Sequence, residues 1–119
     1  MGLDYGWEKF FSSLHHAVGS AAPPQELLEG LMSGVCHLRR DSFPDDETWK
    51  QFEKLLNVTT CLPAKGNEGT IQATTSQMTD DEAGRCLREA FEIFSKIAEA
   101  YGAYAQRERT EGRSSGEVQ

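Results

Sequence analysis

The chain has 119 residues, 38% hydrophobic and 26% charged, which is enough apolar content for one folded core and too little length for two. Its 19 acidic residues outweigh 12 basic ones for a formal charge of −7, a field that repels phosphate backbones and argues against direct contact with nucleic acid. No stretch approaches the ~20 apolar residues of a membrane span. The three cysteines, Cys36, Cys61 and Cys86, are an odd number without a C-x-x-C spacing, which fits neither a disulfide framework nor a zinc site.

Leu3, Trp7, Phe10, Leu14 and Ala17 alternate at four and three, with Phe11 and Val18 widening the stripe, so the spacing predicts an amphipathic helix over 3–18. Gly19-Ser20-Ala21-Ala22-Pro23-Pro24 ends it. A second helix is predicted over 24–39, with Pro24 in its first turn, Leu27, Leu28, Leu31, Val35 and Leu38 on its buried face, and Arg39 and Arg40 at its negative end. Gly30 and Gly34 sit one turn apart inside it, each costing about 1 kcal/mol of propensity relative to Ala; they either permit close helix packing or weaken the helix.

Ser42-Phe43-Pro44-Asp45-Asp46-Glu47 reads as a helix start, with Ser42 or a neighbour as cap and carboxylates in the first turn. The third helix, over 45–56, buries Trp49, Phe52, Leu55 and Leu56. From Asn57 to Met78 the helical period vanishes. Val58-Thr59-Thr60-Cys61-Leu62 and Thr70-Ile71-Gln72-Ala73-Thr74 flank a Gly/Asn-rich stretch at 63–69, the pattern of a small β-hairpin or of an irregular crossover.

Thr79-Asp80-Asp81-Glu82 has the form of a capping box. Behind it Ala83, Leu87, Ala90, Phe94, Ile97, Tyr101 and Tyr104 keep a four-three alternation, with Phe91, Ala98 and Ala105 in a parallel second row. The fold class is therefore mainly α: a four-helix bundle-like single domain over 1–106, with one long C-terminal helix over 79–106 and a polar tail, 107–119, expected to be mobile. The last helix spans about 40 Å against about 23 Å for each of the first two. Either the shorter helices stack along it, or its Tyr101 to Ala105 end projects and is covered by a second copy. The residues expected to carry that contact are Phe91, Phe94, Ile97, Tyr101 and Tyr104, in a homodimer.

Chemistry is sparse. His15 and His16 are adjacent and point about 100° apart on a helix, so they cannot chelate one metal together. Cys36 and His37 are neighbours in sequence and do not form a nucleophile and base through their side chains. Lys65-Gly66-Asn67-Glu68-Gly69-Thr70 lacks the GxxxxGK[ST] order of a phosphate loop. No Glu-x-x-His or His-Glu-x-x-His occurs. No cofactor, metal or catalytic role is expected.

Arg39-Arg40-Asp41 and Asp45-Asp46-Glu47 read as helix-dipole complementation. Asp41, Asp45, Asp46 and Glu47 would join Asp80, Asp81 and Glu82 in an acidic contact surface if the two helix starts share one end of the bundle. Met1-Gly2-Leu3-Asp4-Tyr5 has neither the basic region nor the apolar run of a signal, so a reducing cytoplasm is the expected location, and Asn57-Val58-Thr59 is an accidental match to a glycosylation acceptor. The expected function is a noncatalytic, self-associating interaction or accessory protein with a protein partner. An acidic inhibitor or immunity-type protein neutralising a basic enzyme such as a nuclease is the alternative, and a small-molecule-binding bundle the third.

Overall fold

The computed structural model describes residues 2–64 and 69–116, and every regular element among them is helical. Five α-helices follow one another: α1 (Gly2–Val18), α2 (Pro24–Val35), α3 (Asp46–Thr59), α4 (Thr70–Thr75) and α5 (Asp80–Gly116), with a 3-10 turn at Arg40–Ser42. Helices α1, α2 and α3 all pack on α5, while the short α4 lies against α2 and α3. No described helix is long and apolar enough to cross a membrane.

The starts of α3 and α5 follow from their caps. Asp45 is extended and its carboxylate accepts the Thr48 amide at 2.7 Å, so Asp45, and not Ser42, begins α3. The capping box of α5 forms as expected: the Glu82 amide donates to Thr79 Oγ1 at 3.1 Å and the Thr79 amide to Glu82 Oε1 at 2.8 Å.

Helix α2 ends at Val35, about a turn before its expected end at 39. The chain bends there because Leu38 and Phe43, 5% and 3% exposed, both turn into the core through the 3-10 link. Glycines on α1 make room for that link. A Cβ on Gly2 would run into the Asp41 carbonyl, and one on Gly6 into the Ser42 carbonyl. Of the two α2 glycines, Gly34 lies against Ser13 of α1 and permits close packing, whereas Gly30 faces open space.

The hairpin expected within 57–78 does not form among the described residues. Val58 and Thr59 end α3, and 70–75 is helix α4; the turn residues 65–68 lie outside the described residues. Threonine accounts for the difference. Thr59, Thr60, Thr74 and Thr75 each donate their hydroxyl to the carbonyl four residues back, at 3.0, 2.7, 2.7 and 2.9 Å, so β-branched residues that suit a strand are satisfied on helical backbone. The Leu62 amide donates to Thr74 Oγ1 at 3.0 Å and ties the link to α4.

Phe10 is the hub of the core, with ring centroids of Phe43, Phe52 and Phe94 at 6.4, 6.0 and 6.4 Å. Around it lie Leu28, Leu31, Met32 and Val35 of α2, all fully buried. On α5 the buried row is Ala83, Cys86, Ala90, Ile93 and Ile97, turned from the expected one. Leu87, Phe94 and Tyr101 are only half-buried, and Tyr104 is exposed. Helix α5 also continues to Gly116, through a segment expected as tail. Arg, Glu and Gln are good helix formers, so a nucleated helix propagates into it at little cost.

Candidate functional site

Trp7 and Phe11 stand one turn apart on α1, and their rings stack at 4.9 Å and 7°. Trp7 also stacks on Tyr101 of α5 at 5.2 Å and 22°, and Phe11 on His15 at 5.7 Å and 17°. Four rings thus run in file along the α1–α5 seam. Because Trp7 meets Tyr101 while Phe10 meets Phe94, the two helices are antiparallel.

The seam is not sealed. Phe11 is 45% and Phe91 48% exposed, where a core position would leave nothing. Phe91 is on this side because the opposite flank of α5 belongs to α3: Gln51 bonds Glu89 at 3.2 Å and Lys96 at 2.9 Å. Phe91, a step further round the helix from Phe94, is left facing outward beside α1. Leu87, Phe94, Ala98 and Tyr101 are half-buried along the same row.

Of the residues expected to contact another chain, Phe91, Phe94, Tyr101 and Tyr104 reach the surface to some degree. Ile97 does not. It is 0% exposed within the chain's own core and is unavailable to a second molecule. Tyr101 does not project either, since Trp7 covers it; the projection of α5 begins past Tyr104, which is 37% exposed. Trp7 and Phe11 belong to the surface, although the residues expected to make the contact all lie on α5. Their signal was the width of the α1 stripe, broader than one packed neighbour needs.

The acidic residues divide into two groups. Glu47 lies 3.7 Å from Lys96 of α5, so Asp41, Asp45, Asp46 and Glu47 gather at the end of the body where α5 leaves it. Asp80 and Asp81 open α5 at the other end, where Asp80 accepts a hydrogen bond from Gln25 of α2 at 2.8 Å. Sixteen residues of α5 separate Asp80 from Lys96, about 24 Å. The two helix starts therefore do not combine into one acidic surface. Within the first group Arg40 pairs with Asp46 at 2.8 Å, diluting the charge further.

Two carboxylates are held below their usual range. At Asp45 the Thr48 hydroxyl and amide are the cause, helped by Lys96 and Arg40; the hydroxyl leans on the carboxylate without completing a hydrogen bond of good geometry. At Glu82 the Thr79 amide and hydroxyl do the same. Burial pushes the Cys86 thiol up, which keeps it protonated and unreactive.

Grooves mark the surface among the described residues. One of about 620 Å³ lies between the end of α1, the start of α2 and α4, near His16, Gln25, Glu26 and Gln72. Another of about 610 Å³ lies between the α3 start and Ala100 and Ala103 of α5. A third, about 440 Å³, has Leu55, Val58 and Cys86 as its floor. Among the described residues no group of three or more His, Cys, Asp or Glu side chains is placed to hold a metal ion. Tyr5 Oη and His37 Nε2 are 2.9 Å apart with their rings edge to face, a surface pair that places no nucleophile near a base. Comparison of the chain with models of protein families, with curated proteins and with solved structures returns no match.

Proposed function

We propose that the chain is a noncatalytic interaction module whose contact surface is the α1–α5 seam, and that it self-associates there. The exposure of Phe11 on α1 and Phe91 on α5, beside the seam that Trp7 and Tyr101 close by stacking, carries this reading. Two half-exposed phenylalanines, Phe11 within the aromatic file and Phe91 beside it on α5, have the composition of an interface centre, where aromatic anchors dominate the energy. The projecting end of α5 adds surface that the chain's own body leaves uncovered. Three unpaired thiols suit the reducing cytoplasm in which we place it.

The bundle is four helices in outline, α1, α2, α3 and α5, with the short α4 against α2 and α3. An inhibitor of a basic enzyme would draw on one contiguous acidic patch, and the division of the carboxylates between two ends favours the association reading over it.

Light scattering or sedimentation over a range of concentrations tests the proposal. Wild type is expected to exceed monomer mass as concentration rises, and Phe11→Ser with Phe91→Ser to remain monomeric with an unchanged circular-dichroism spectrum. A wild-type monomer at every concentration would sink it.

A further inference from the structure

The outward side of α5 carries a second pattern beside its aromatics. Asp81, Arg88, Ser95, Gly102 and Arg109 recur at intervals of seven, next to the row Gly84, Phe91, Ala98 and Ala105. Phe91 is the one large apolar side chain of these two rows, and beyond it come Ser95, Ala98 and Gly102, with open space around Gly102. Asp81 and Arg109 each stand fourteen residues from Ser95, about 21 Å on either side of it. Both are exposed.

A helix face with an acid at one end, a base at the other, and a bulky ring offset from small residues across its midpoint is complementary to itself when reversed. We infer that the seam takes a second copy of this chain, with the two α5 helices antiparallel about a two-fold axis at Ser95. This rests on the self-association proposed above and adds its orientation. Phe91 of each copy then lies over Ala98 and Gly102 of the other, and Asp81 of each is level with Arg109 of the other, giving two ion pairs per dimer. On α1 the same axis sets Phe11 against Phe11 and Glu8 near His15 of the second copy.

A parallel pairing brings like charges to the same height, Asp81 with Asp81 and Arg109 with Arg109, and sets ring against ring. Rows at intervals of seven drift about 20° per heptad on a straight helix, so the two α5 helices cross at a shallow left-handed angle of about 20°. The projecting end of α5, which holds Arg109, thereby gains a partner that the chain's own body does not supply.

Charge reversal and cross-linking test the orientation. D81R and R109E singly are each expected to raise the dimer dissociation constant about tenfold or more at low ionic strength, since each turns two attractive contacts into two repulsive ones. The double reversal returns it to within about threefold. Because reversal at Asp81 also weakens the start of α5, a second measurement stands apart from folding. With Cys36 and Cys61 changed to Ser, S95C is expected to form a covalent dimer under mild oxidation, the two residues facing each other across the axis within the ~7 Å that a disulfide tolerates. E53C, on the outer face of α3, is expected not to. Absence of charge rescue, or cross-linking by E53C as readily as by S95C, overturns the antiparallel pairing. If the phenylalanine variants still abolish association, the seam proposal survives that result. A monomeric wild type overturns both.

Discussion

Asp45 and Glu82 hold the first turns of α3 and α5, and each does so more strongly while ionised, because a carboxylate accepts an amide hydrogen bond better than a protonated carboxyl does. Their folded pKa values are depressed by Thr48 and Thr79, so the stability they contribute is present above the ordinary carboxylate range and is lost as pH falls through the folded values. Urea unfolding between pH 7 and pH 2 should show a descending acid limb, and Glu82→Gln, which keeps a capping side chain but cannot titrate, should flatten it. Asp45→Ala should cost about 1 kcal/mol at pH 7 by removing the cap and should also shorten that limb. The glycines give a contrasting pair. Gly6→Ala presses a methyl into the Ser42 carbonyl and should destabilise by about 2 kcal/mol, as overpacking against rigid backbone does. Gly30→Ala meets nothing and should stabilise α2 by about 0.5–1 kcal/mol. Thermal melts of the two variants should move in opposite directions.

Element by element, apolar periodicity made α1, α2, α3 and α5 visible in the sequence, since a half-buried helix must repeat every 3.6 residues whatever packs on it. Which row of α5 lies deepest was not visible. Ile93 is fully buried and Phe91 half-exposed, yet a stripe as wide as this one admits several centres, and the directions of α1 and α3 decide among them. Ile93→Ala should therefore cost about 2–5 kcal/mol of folding free energy, while Phe91→Ser should stay within about 0.5 kcal/mol and show its effect in association alone. Helix α4 was hidden for a different reason: the hydroxyls of Thr74 and Thr75 bond back to Thr70 and Ile71, a local satisfaction that composition cannot distinguish from strand preference. The α1 half of the seam was hidden because Trp7 and Phe11 have their meaning only against Tyr101, a residue remote in sequence.

For the molecule as a whole, the Cα radius of gyration is 16.8 Å and the principal extents are 63 × 29 × 25 Å. A compact chain of this length would have a radius of about 13.5 Å, so the excess belongs to α5 beyond the body. Ending the chain after Gln106 should shorten the maximum dimension measured by X-ray scattering and leave the unfolding midpoint within about 2 °C, because no core residue lies past Ile97 among the described positions. The carboxylates at opposite ends of the body make the molecule an elongated object whose charge varies along its length, and no composition could have disclosed that division. A continuous α5 also means one hydrogen-bond ladder with two stabilities. Amides at Ala90–Ile97 can open only when the core does, whereas those past Gln106 open by fraying from the end. Deuterium uptake along this single helix should step by orders of magnitude near residue 105, and a second chain seated on the projection should drive that step outward toward Gly116.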